Sequence, residues 1–212
     1  MIAAKTSETY AKQQVSNIVS RETMERFEQI HRALVQWSRR FNLVAPSTLP
    51  QFWSRHVFDS VQLLDLAPKT TKNWLDFGSG AGFPGLILAI LLRDRPGAKV
   101  KLIESVGKKT AFLQHCARIT DAPAIVLQQR VEQVPAECAE VITARALAGV
   151  SDLLVLCERF TGPQTVLLFP KGKNLEQELT IARKEWDIEA EILPSITDEQ
   201  AGILRIRKFH RV

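Results

Sequence analysis

A glycine-rich stretch, NWLDFGSGAGFPG at Asn73–Gly85, constrains the fold of this chain more than any other feature. Apolar residues typical of a strand (Trp74, Leu75, Phe77) precede it, and an apolar run of helical length follows it. This order predicts a strand, a tight turn and a helix. Because glycine tolerates positive φ and has no Cβ, the turn lets the backbone approach a ligand, to which the helix start offers free N–H groups. The ligand should be a nucleoside-type cofactor, held in part by Gly78, Gly80 and Gly82.

The register of the glycines helps to choose the cofactor. Residues 80–85 read GAGFPG, a literal GxGxxG, but that match alone is weak. The first glycine of a dinucleotide loop should follow the strand directly, which here is Gly78, and Phe83 then stands where the third glycine would be. Asp76, just before the turn, fits better beside a cationic amino-acid group than beside a pyrophosphate. We therefore favour S-adenosylmethionine over NAD, with a glycine turn that binds nothing as the alternative.

Composition indicates a globular cytoplasmic protein. The chain has 212 residues, 45% of them hydrophobic and 24% charged, which suits one α/β domain with an appendage. Its three cysteines include no CxxC pair, so we expect reduced, buried thiols and no metal site. The longest apolar run, about eight residues, is too short to span a membrane. We expect a monomer in the cytoplasm with no membrane partner.

Positive charge is concentrated in the first third of the chain. Residues 1–72 contain ten Lys and Arg against six Asp and Glu, whereas the remainder has a net charge of only +1. A second basic cluster lies near the end, at Arg205, Arg207, Lys208 and Arg211. A basic surface beside a nucleoside-cofactor site suggests a polyanionic substrate, although ordinary solvated charges would give the same count.

The N-terminal part is predicted to be a helical extension, residues 1–72. Little periodicity is seen over residues 1–19, which we expect to be partly loose. Apolar residues then recur at helical spacing from Arg21 to Phe41, with Ser20 as a candidate N-cap. A second helix should open at a capping box that starts at Thr48 and should run to about residue 66.

The remainder, residues 73–212, is predicted to be the cofactor-binding domain. After the first strand, further strands are expected at Lys99–Glu104, Ala124–Gln128, Glu140–Thr143, Gln164–Phe169, Ile188–Leu193 and Ile203–Phe209. Helices are expected at Pro84–Leu92, Lys108–Ile119, Ser151–Phe160 and Leu175–Trp186. Five βα repeats and a late pair of strands predict a seven-stranded, mostly parallel sheet. This is the class I (Rossmann-like) methyltransferase architecture with an N-terminal helical appendage.

Three polar positions follow predicted strands, at the edge where such sheets bind ligands. Glu104 ends the second strand, 26 residues after Gly78, where a carboxylate binds the two ribose hydroxyls; a surface glutamate is the alternative. Val131 and Glu132 follow the third strand, where an adenine-binding loop falls. Arg145 follows the fourth strand. Together these positions predict a cofactor site along the carboxyl edge.

A set of motifs resembles the bacterial small-subunit ribosomal RNA guanine-N7 methyltransferases, also called glucose-inhibited division protein B. The motifs, in family order, are FNLV (41–44), RHVFDS (55–60), LDFGSGAGFPG (75–85), ESVGKK (104–109), QRVE (129–132), TARA (143–146) and PKGK (170–173). The resemblance implies an S-adenosylmethionine site lined by Gly78, Phe83, Val131, Glu132 and Arg145, with Glu104 on the ribose. It also implies a target guanine in 16S ribosomal RNA, near the decoding region. Glu104 departs from the family, where Asp is common, as does the LLF before Pro170.

The absence of two catalytic motifs from the sequence favours a ring nitrogen of a base as the methylated atom. Exocyclic amine methylation usually employs an Asn/Asp-Pro-Pro-aromatic loop, and pyrimidine C5 methylation requires a cysteine nucleophile, commonly after proline; the chain has neither motif. Guanine N7 carries a lone pair and no proton, so its methylation needs alignment but no base. We therefore expect no catalytic base, and expect Arg145, Lys171 and His56 to position the substrate.

The RNA should be contacted by basic residues, namely Arg39, Arg40, Arg55, Lys108, Lys109, Lys171 and Lys173, with the C-terminal cluster. These contacts position 16S ribosomal RNA, or the small ribosomal subunit, without reading its sequence. His56 and Asp59 lie three residues apart and could pair, and His56 could equally be a structural histidine. A nicotinamide oxidoreductase is disfavoured because the only tyrosine, Tyr10, does not start a Tyr-x-x-x-Lys motif. An RNA assembly factor that binds the cofactor without turnover stays open.

Overall fold

The computed structural model describes residues 7–212. The described chain begins with helix α1 (Glu8–Ile18), whose first turn is capped by the hydroxyl oxygen of Ser7. The expectation of a loose stretch over residues 1–19 is therefore wrong for this helix, and residues 1–6 lie outside the described part. Periodicity misses α1 because the helix buries only two small residues, Ala11 and Val15, which form no apolar stripe.

Helix α2 (Arg21–Ser38) begins at its predicted cap. Oγ of Ser20 accepts a hydrogen bond from the N–H of Thr23 at 3.2 Å, which satisfies a free donor of the first turn. The helix buries a stripe of apolar residues at helical spacing, as its sequence predicts. It ends at Ser38, three residues before the predicted end at Phe41.

The segment after α2 is irregular. A 3₁₀ turn (Pro46–Gln51) and a π-helical segment (Phe52–Phe58) precede helix α3 (Asp59–Leu66). The predicted capping box at Thr48 is wrong, because the Thr48 hydroxyl donates to the carbonyl oxygen of Ala45 at 2.8 Å and caps no helix. The π-helical segment contains Arg55 and His56, and such widened turns are frequent at functional sites.

A seven-stranded sheet in the spatial order β3-β2-β1-β4-β5-β7-β6 forms the centre of the protein. Strands β1 to β5 are parallel, and β7 runs antiparallel to both β5 and β6, which confirms the predicted architecture. Each boundary lies within two residues of its prediction. The strands are β1 (Asn73–Phe77), β2 (Lys99–Ile103), β3 (Ala124–Leu127), β4 (Val141–Ala144), β5 (Val166–Lys171), β6 (Trp186–Pro194) and β7 (Gly202–Arg211).

Four helices connect the strands. They are α4 (Gly85–Leu91), α5 (Gly107–Thr120), α6 (Val150–Cys157) and α7 (Leu175–Ala182). Helix α7 ends before its predicted limit because Trp186 begins β6, where its indole is buried and donates to Oγ of Ser151 at 3.1 Å. Within residues 7–212, no helix combines the length and the apolar composition needed to cross a bilayer.

Side chains alternate across the sheet and build two cores. Along β1, Trp74 packs with α4, α5 and the N-terminal helices, whereas Leu75 and Phe77 pack with α6 and α7. The N-terminal helices thus share a core with the helices of one sheet face. The carboxyl ends of β1 to β5 are left to form a common edge.

Candidate cofactor and substrate site

The loop between β1 and α4 presents bare backbone at this edge. Gly78, Gly80 and Gly82 have φ values of +62°, +58° and +94°, which L side chains rarely adopt. A Cβ built on Gly80 would meet no atom closer than the Gly78 carbonyl oxygen at 3.8 Å. The loop therefore leaves open space beside its backbone, as the close approach of a ligand requires.

Glu104, the residue after β2, is fastened to this loop. Its carboxylate is 7% exposed; Oε2 accepts from the N–H of Gly80 at 2.9 Å and Oε1 from the N–H of Val106 at 2.8 Å. Each carboxylate oxygen keeps a lone pair for a further donor. The pair of oxygens is thus oriented and still able to accept from two ribose hydroxyls.

The loop after β3 continues the edge. Val131 is buried in a 3₁₀ turn (Val131–Gln133), while Glu132 is exposed. Arg159 fixes this loop, since it donates to the carbonyl oxygens of Glu132 and Val134, each at 2.7 Å. Sequence reasoning did not identify Arg159, which lies beyond two later elements of the chain.

The order of the strands places the three loops in a row. Because β1, β2 and β3 are neighbours in the sheet, Gly78, Glu104 and Val131 follow one another along its edge. An elongated ligand with an amino-acid, a ribose and a base portion matches this row. The residues present therefore fit S-adenosylmethionine.

Asp76 lies under the glycine loop and is completely buried. Its Oδ1 accepts from the Thr143 hydroxyl at 2.6 Å, while Oδ2 has no hydrogen-bond partner within the described residues. Burial raises the pKa of this carboxyl to about 6, and the bond from Thr143 opposes that shift. The contact of Asp76 with the cofactor stays a prediction.

On the other side of β1, Arg145 ties β4 to the π-helical segment. Its guanidinium donates to the carbonyl oxygen of Arg55 at 2.9 Å, to Oδ2 of Asp59 at 3.1 Å and to Nδ1 of His56 at 3.2 Å. It also lies 5.8 Å from the ring centroid of Phe83. The expected pairing of His56 with Asp59 is wrong, because each contacts Arg145 instead.

His56 is held as a neutral imidazole. Its ring stacks on Phe83 with centroids 4.4 Å apart and planes at 15°, and the residue is 4% exposed. Burial, with the charges of Arg145 and Arg55, lowers the pKa of His56 to about 3. Since Nδ1 accepts from Arg145, the proton resides on Nε2, which is buried and lies near the backbone of Thr48.

A cavity of about 1090 Å³ opens in front of this cluster. Its walls come from residues 44–59, the loop 145–149, the end of β5 and the turn between β6 and β7. Oδ1 of Asp59 accepts from the Thr197 hydroxyl of that turn at 2.8 Å, a contact that sequence reasoning missed. The cavity is at the upper end of the usual size of ligand pockets, so a nucleotide fits within it.

Lys171 supports the wall of the cavity. Its ammonium donates to the carbonyl oxygen of Ala148 at 2.6 Å and to Oε2 of Glu178 at 2.7 Å, and its side chain is only 7% exposed. The ammonium therefore holds the loop 145–149 in place. In this position it is not presented to a large polyanion.

The other predicted RNA-binding residues remain accessible. Arg39, Arg40, Arg55, Lys108 and Lys173 are exposed, Lys109 is half-buried, and none of the six pairs with a carboxylate in residues 7–212. The C-terminal cluster differs, since every member pairs with a glutamate; the pairs are Arg205 and Arg207 with Glu191, Lys208 with Glu189, and Arg211 with Glu158. Six of the predicted RNA-binding residues thus keep a positive charge without an acidic partner, whereas the charges of the C-terminal cluster are paired.

Outside this site, the described residues form a smaller cleft and no metal-binding cluster. A smaller cleft of about 420 Å³ lies between α1 and α2, lined by side chains such as Lys12, Met24 and Glu28. No group of three His, Cys, Asp or Glu side chains within residues 7–212 is arranged to hold a metal ion.

Comparison with known families gives a match over most of the chain. A family model described as rRNA small subunit methyltransferase G matches residues 23–206. The ribosomal RNA small subunit methyltransferase G of Jannaschia sp. (strain CCS1) is 45% identical over 205 residues, covering 96% of this chain and 97% of its own. The protein of the same name from Rhodospirillum centenum is 49% identical over 191 residues, covering 90% and 87%.

Solved structures resemble the fold at low sequence identity. A SAM-dependent methyltransferase from Aquifex aeolicus has a TM-score of 0.59 and 16% identity, covering 82% of this chain and 98% of its own. TYW2 of M. jannaschii in complex with AdoMet has a TM-score of 0.54 and 13% identity, covering 76% and 78%. This likeness establishes the class I fold.

Proposed function

The chain belongs to the rRNA small subunit methyltransferase G family, and from that premise we propose that it methylates N7 of a guanine in 16S ribosomal RNA near the decoding region, using S-adenosylmethionine. One observation carries the choice of atom. Beside the glycine loop, the fold buries a neutral imidazole whose Nδ1 accepts from Arg145, so that its proton is on Nε2, near the backbone of Thr48. That imidazole is a donor and not a base.

The cofactor is held along the row of loops at the sheet edge. We assign the ribose of the cofactor to Glu104, after β2, and its adenine to Val131 and Glu132, after β3. We assign its methionine side to the glycine loop and its neighbours, namely Asp76, Gly78, Gly80, Gly82, Phe83 and Arg145. When bound, S-adenosylmethionine supplies an electrophilic methyl group. The chain's own residues orient the two reactants, and in-line alignment alone contributes much of such a rate enhancement.

Guanine presents two acceptors on one edge, N7 and O6. We assign O6 to the Nε2–H of His56, which leaves N7 and its lone pair free for methylation. Since N7 carries no proton, no side chain has to accept one.

Arg145 and Lys171 position this donor. Arg145 fixes the tautomer of His56 through Nδ1 and anchors Asp59, whereas Lys171 holds the loop that follows Arg145. We therefore assign Lys171 to positioning rather than to phosphate contact. The RNA backbone is left to Arg39, Arg40, Arg55, Lys108, Lys109 and Lys173.

The proposed organisation follows from these roles. We propose that the predicted extension, of which residues 7–72 are described, contributes His56 and one wall of the cavity, and that residues 73–212 form the cofactor-binding domain. We propose that the protein acts as a monomer in the cytoplasm, where its substrate resides. Its three unpaired cysteines, two of them buried, agree with a reducing compartment.

Turnover separates this function from an assembly factor that only binds. The purified protein is incubated with methyl-labelled S-adenosylmethionine and either 16S ribosomal RNA or small subunits, and the RNA is digested to nucleosides. We expect label in 7-methylguanosine at more than one mole per mole of enzyme. Binding of both ligands without labelled nucleoside would contradict the proposal.

The contact with O6 is tested by changing the base and the histidine together. An RNA substrate with 2-aminopurine at the target keeps N7 but lacks O6. We expect it to react about tenfold more slowly than guanine with the wild-type protein, the scale of one hydrogen bond. With His56→Phe the two substrates should react at the same rate. If that variant still methylates guanine about tenfold faster than 2-aminopurine, His56 does not contact O6.

A further inference from the structure

Three aromatic side chains form a partly exposed surface between α2 and α5. We call Trp37, Phe41 and His115 the aromatic platform. The Trp37 ring lies 5.9 Å from that of Phe41 and 5.6 Å from that of His115, measured between centroids. Phe112 is buried beneath it and meets Trp37 edge to face at 5.6 Å. The platform therefore has a rigid support and an open side.

Such exposure is unusual within this protein. The other tryptophans, Trp53, Trp74 and Trp186, are 5%, 0% and 1% exposed, whereas Trp37 is half-buried. Phe41 is 37% exposed and is the one phenylalanine among the exposed large apolar residues of the described chain. Packing of α2 on α5 accounts for the contact between Trp37 and Phe112. It does not account for the outward position of Phe41.

From the platform, the end of α2 points towards the edge of the sheet that holds the predicted cofactor loops. Arg26, early in α2, donates to the carbonyl oxygen of Thr120 at the end of α5, while Trp37, late in α2, contacts the middle of α5. The two helices are therefore antiparallel. Since α5 begins directly after Glu104, the end of α2 and the residues that follow it lie towards that same edge.

The chain after the platform leads straight into the substrate cavity. Val44 and Ala45, which line the cavity, follow Phe41 by three and four residues. An extended chain covers about 3.3–3.6 Å per residue, so the platform is within about 15 Å of the cavity wall. That separation corresponds to neighbouring positions of one RNA strand.

The two chain segments that contain the platform residues are basic in sequence. No Asp or Glu occurs between Glu28 and Asp59, or between Glu104 and Asp121. The two segments that form the platform thus carry only positive formal charges, on Arg32, Arg39, Arg40, Arg55, Lys108, Lys109 and Arg118. Aromatic rings set among arginine and lysine are the usual means of binding single-stranded nucleic acid, with the bases on the rings and the phosphates on the charges.

We propose that the aromatic platform stacks an unpaired base of the substrate RNA, one that flanks the target guanine in the same strand. The proposal rests on the proposed function for the identity of the strand. Its occupant is a single-stranded nucleotide, because bases within a duplex do not expose a face to a side chain. Stacking is tolerant of sequence, so the platform holds the strand and does not choose the base.

Fluorescence of Trp37 tests the platform without any need for turnover. Acrylamide quenching of the full chain should act mainly on Trp37, and Trp37→Phe should remove most of it. We expect a single-stranded oligoadenylate to protect Trp37 from quenching. A sugar–phosphate oligomer of equal length without bases should bind more weakly and give no protection. Equal protection by both oligomers, or by neither, would overturn the proposal.

Variants at Phe41 test the same surface through binding. Phe41→Leu removes the ring but keeps an apolar side chain, and it should weaken oligoadenylate binding about tenfold, the scale of one base stack. The affinity for the baseless oligomer should not change. Phe41→Tyr should bind like the wild type, and the distant exposed variant Ile181→Ala should have no effect. If Phe41→Leu weakens both oligomers equally, Phe41 does not stack a base.

These outcomes are independent of the methylation assay. A protein that labels guanine N7 but shows no difference between the two oligomers keeps its proposed function and loses the platform. A protein that protects Trp37 with oligoadenylate but produces no methylated nucleoside keeps the platform as a site for single-stranded RNA and loses the proposed reaction.

Discussion

The imidazole of His56 stays uncharged at neutral pH because the fold buries it and places two arginines beside it. A folded-state pKa of about 3 lies far below the ordinary value of about 6.5 for histidine. The contribution of His56 to the free energy of unfolding is therefore fully present when the pH is above its ordinary pKa of about 6.5. This contribution is lost as the pH falls towards 3. Throughout the neutral range His56 neither gains nor releases a proton.

The rate of methyl transfer should accordingly be almost independent of pH. At saturating RNA and cofactor, the single-turnover rate constant is expected to vary less than about twofold between about pH 6.5 and 8.5, since no base has to be deprotonated. Rapid-quench measurements across this range provide the check. A tenfold rise that disappears in His56→Ala, with RNA binding intact, would require a target that carries a proton.

Gly80 offers a second test at this scale. Gly80→Asp should abolish S-adenosylmethionine binding, because it places a side chain in the open space beside the loop and a negative charge next to Glu104. Isothermal titration calorimetry measures the loss. Gly97→Asp is the matched control, since Gly97 also has a positive φ, +77°, but lies in the turn before β2. Unchanged affinity in Gly80→Asp would remove this loop from the site.

Single residues were predictable where chain topology alone fixes their place. Glu104 and Arg145 each follow a parallel strand, so their arrival at one edge follows from the order of the elements. The bond between Asp59 and Thr197 joins residues 138 positions apart, across a turn whose conformation no local pattern encodes. The depressed pKa of His56 likewise depends on burial that only the folded chain creates.

At the scale of elements, α1 is attached to the protein by its first residue. Glu8 accepts hydrogen bonds from the backbone N–H groups of Trp53 and Ser54, at 2.8 Å and 2.9 Å, and from the Ser54 hydroxyl at 2.5 Å. These N–H groups belong to the first turn of the π-helical segment, where intrahelical partners are missing. The carboxylate thus acts as a cap supplied by another helix.

Glu8→Ala should therefore reduce the free energy of unfolding by about 1–3 kcal/mol, the usual cost of leaving such donors unpaired. Urea unfolding followed by circular dichroism measures the change. Glu25→Ala is the control, because Glu25 forms only a surface ion pair with Arg21 on α2. Loss of that ion pair should reduce the free energy of unfolding by less than about 1 kcal/mol. Equal effects of the two variants would show that the Glu8 contacts contribute nothing specific.

The end of α2 should belong to the RNA footprint. Arg39→Glu combined with Arg40→Glu is expected to weaken RNA binding and to reduce its dependence on salt, because fewer phosphates are neutralised. Cofactor affinity should be unaffected. As a control, Arg207→Glu with Lys208→Glu changes the same charge in a cluster already paired with glutamates. If the dependence of RNA affinity on salt concentration falls equally in both variants, the end of α2 does not belong to the RNA footprint.

Elements with a strong period or a local cap are predictable, and those built by distant contacts are not. Ser20 and the apolar stripe of α2 identify that helix from sequence. Helix α1 and the π-helical segment stabilise each other through hydrogen bonds between residues that are 45 positions apart in the chain. A local sequence pattern therefore identifies neither α1 nor the π-helical geometry of the second segment. Together, α1 and the π-helical segment form the cavity wall that contains His56.

In the whole molecule, the proposed cofactor site and the proposed substrate site use different parts of the sheet edge. The ends of β1, β2 and β3 carry the loops to which we assign the cofactor, whereas the ends of β4 and β5, the last hairpin turn and the N-terminal helices enclose the cavity. Phe83 lies at the junction, stacked on His56 and next to Arg145. This division accounts for a methyl donor on one side and a nucleotide on the other.

The identity of the methylated atom is the central claim, and one chemical measurement tests it directly. Borohydride reduces the cationic ring of 7-methylguanosine in RNA, and aniline then cleaves the strand at that nucleotide. After incubation of 16S ribosomal RNA with the wild-type protein and S-adenosylmethionine, we expect one new cut, near the decoding region, and none with Gly80→Asp. RNA that incorporates methyl label yet resists cleavage, or is cut at many guanines, would contradict the account.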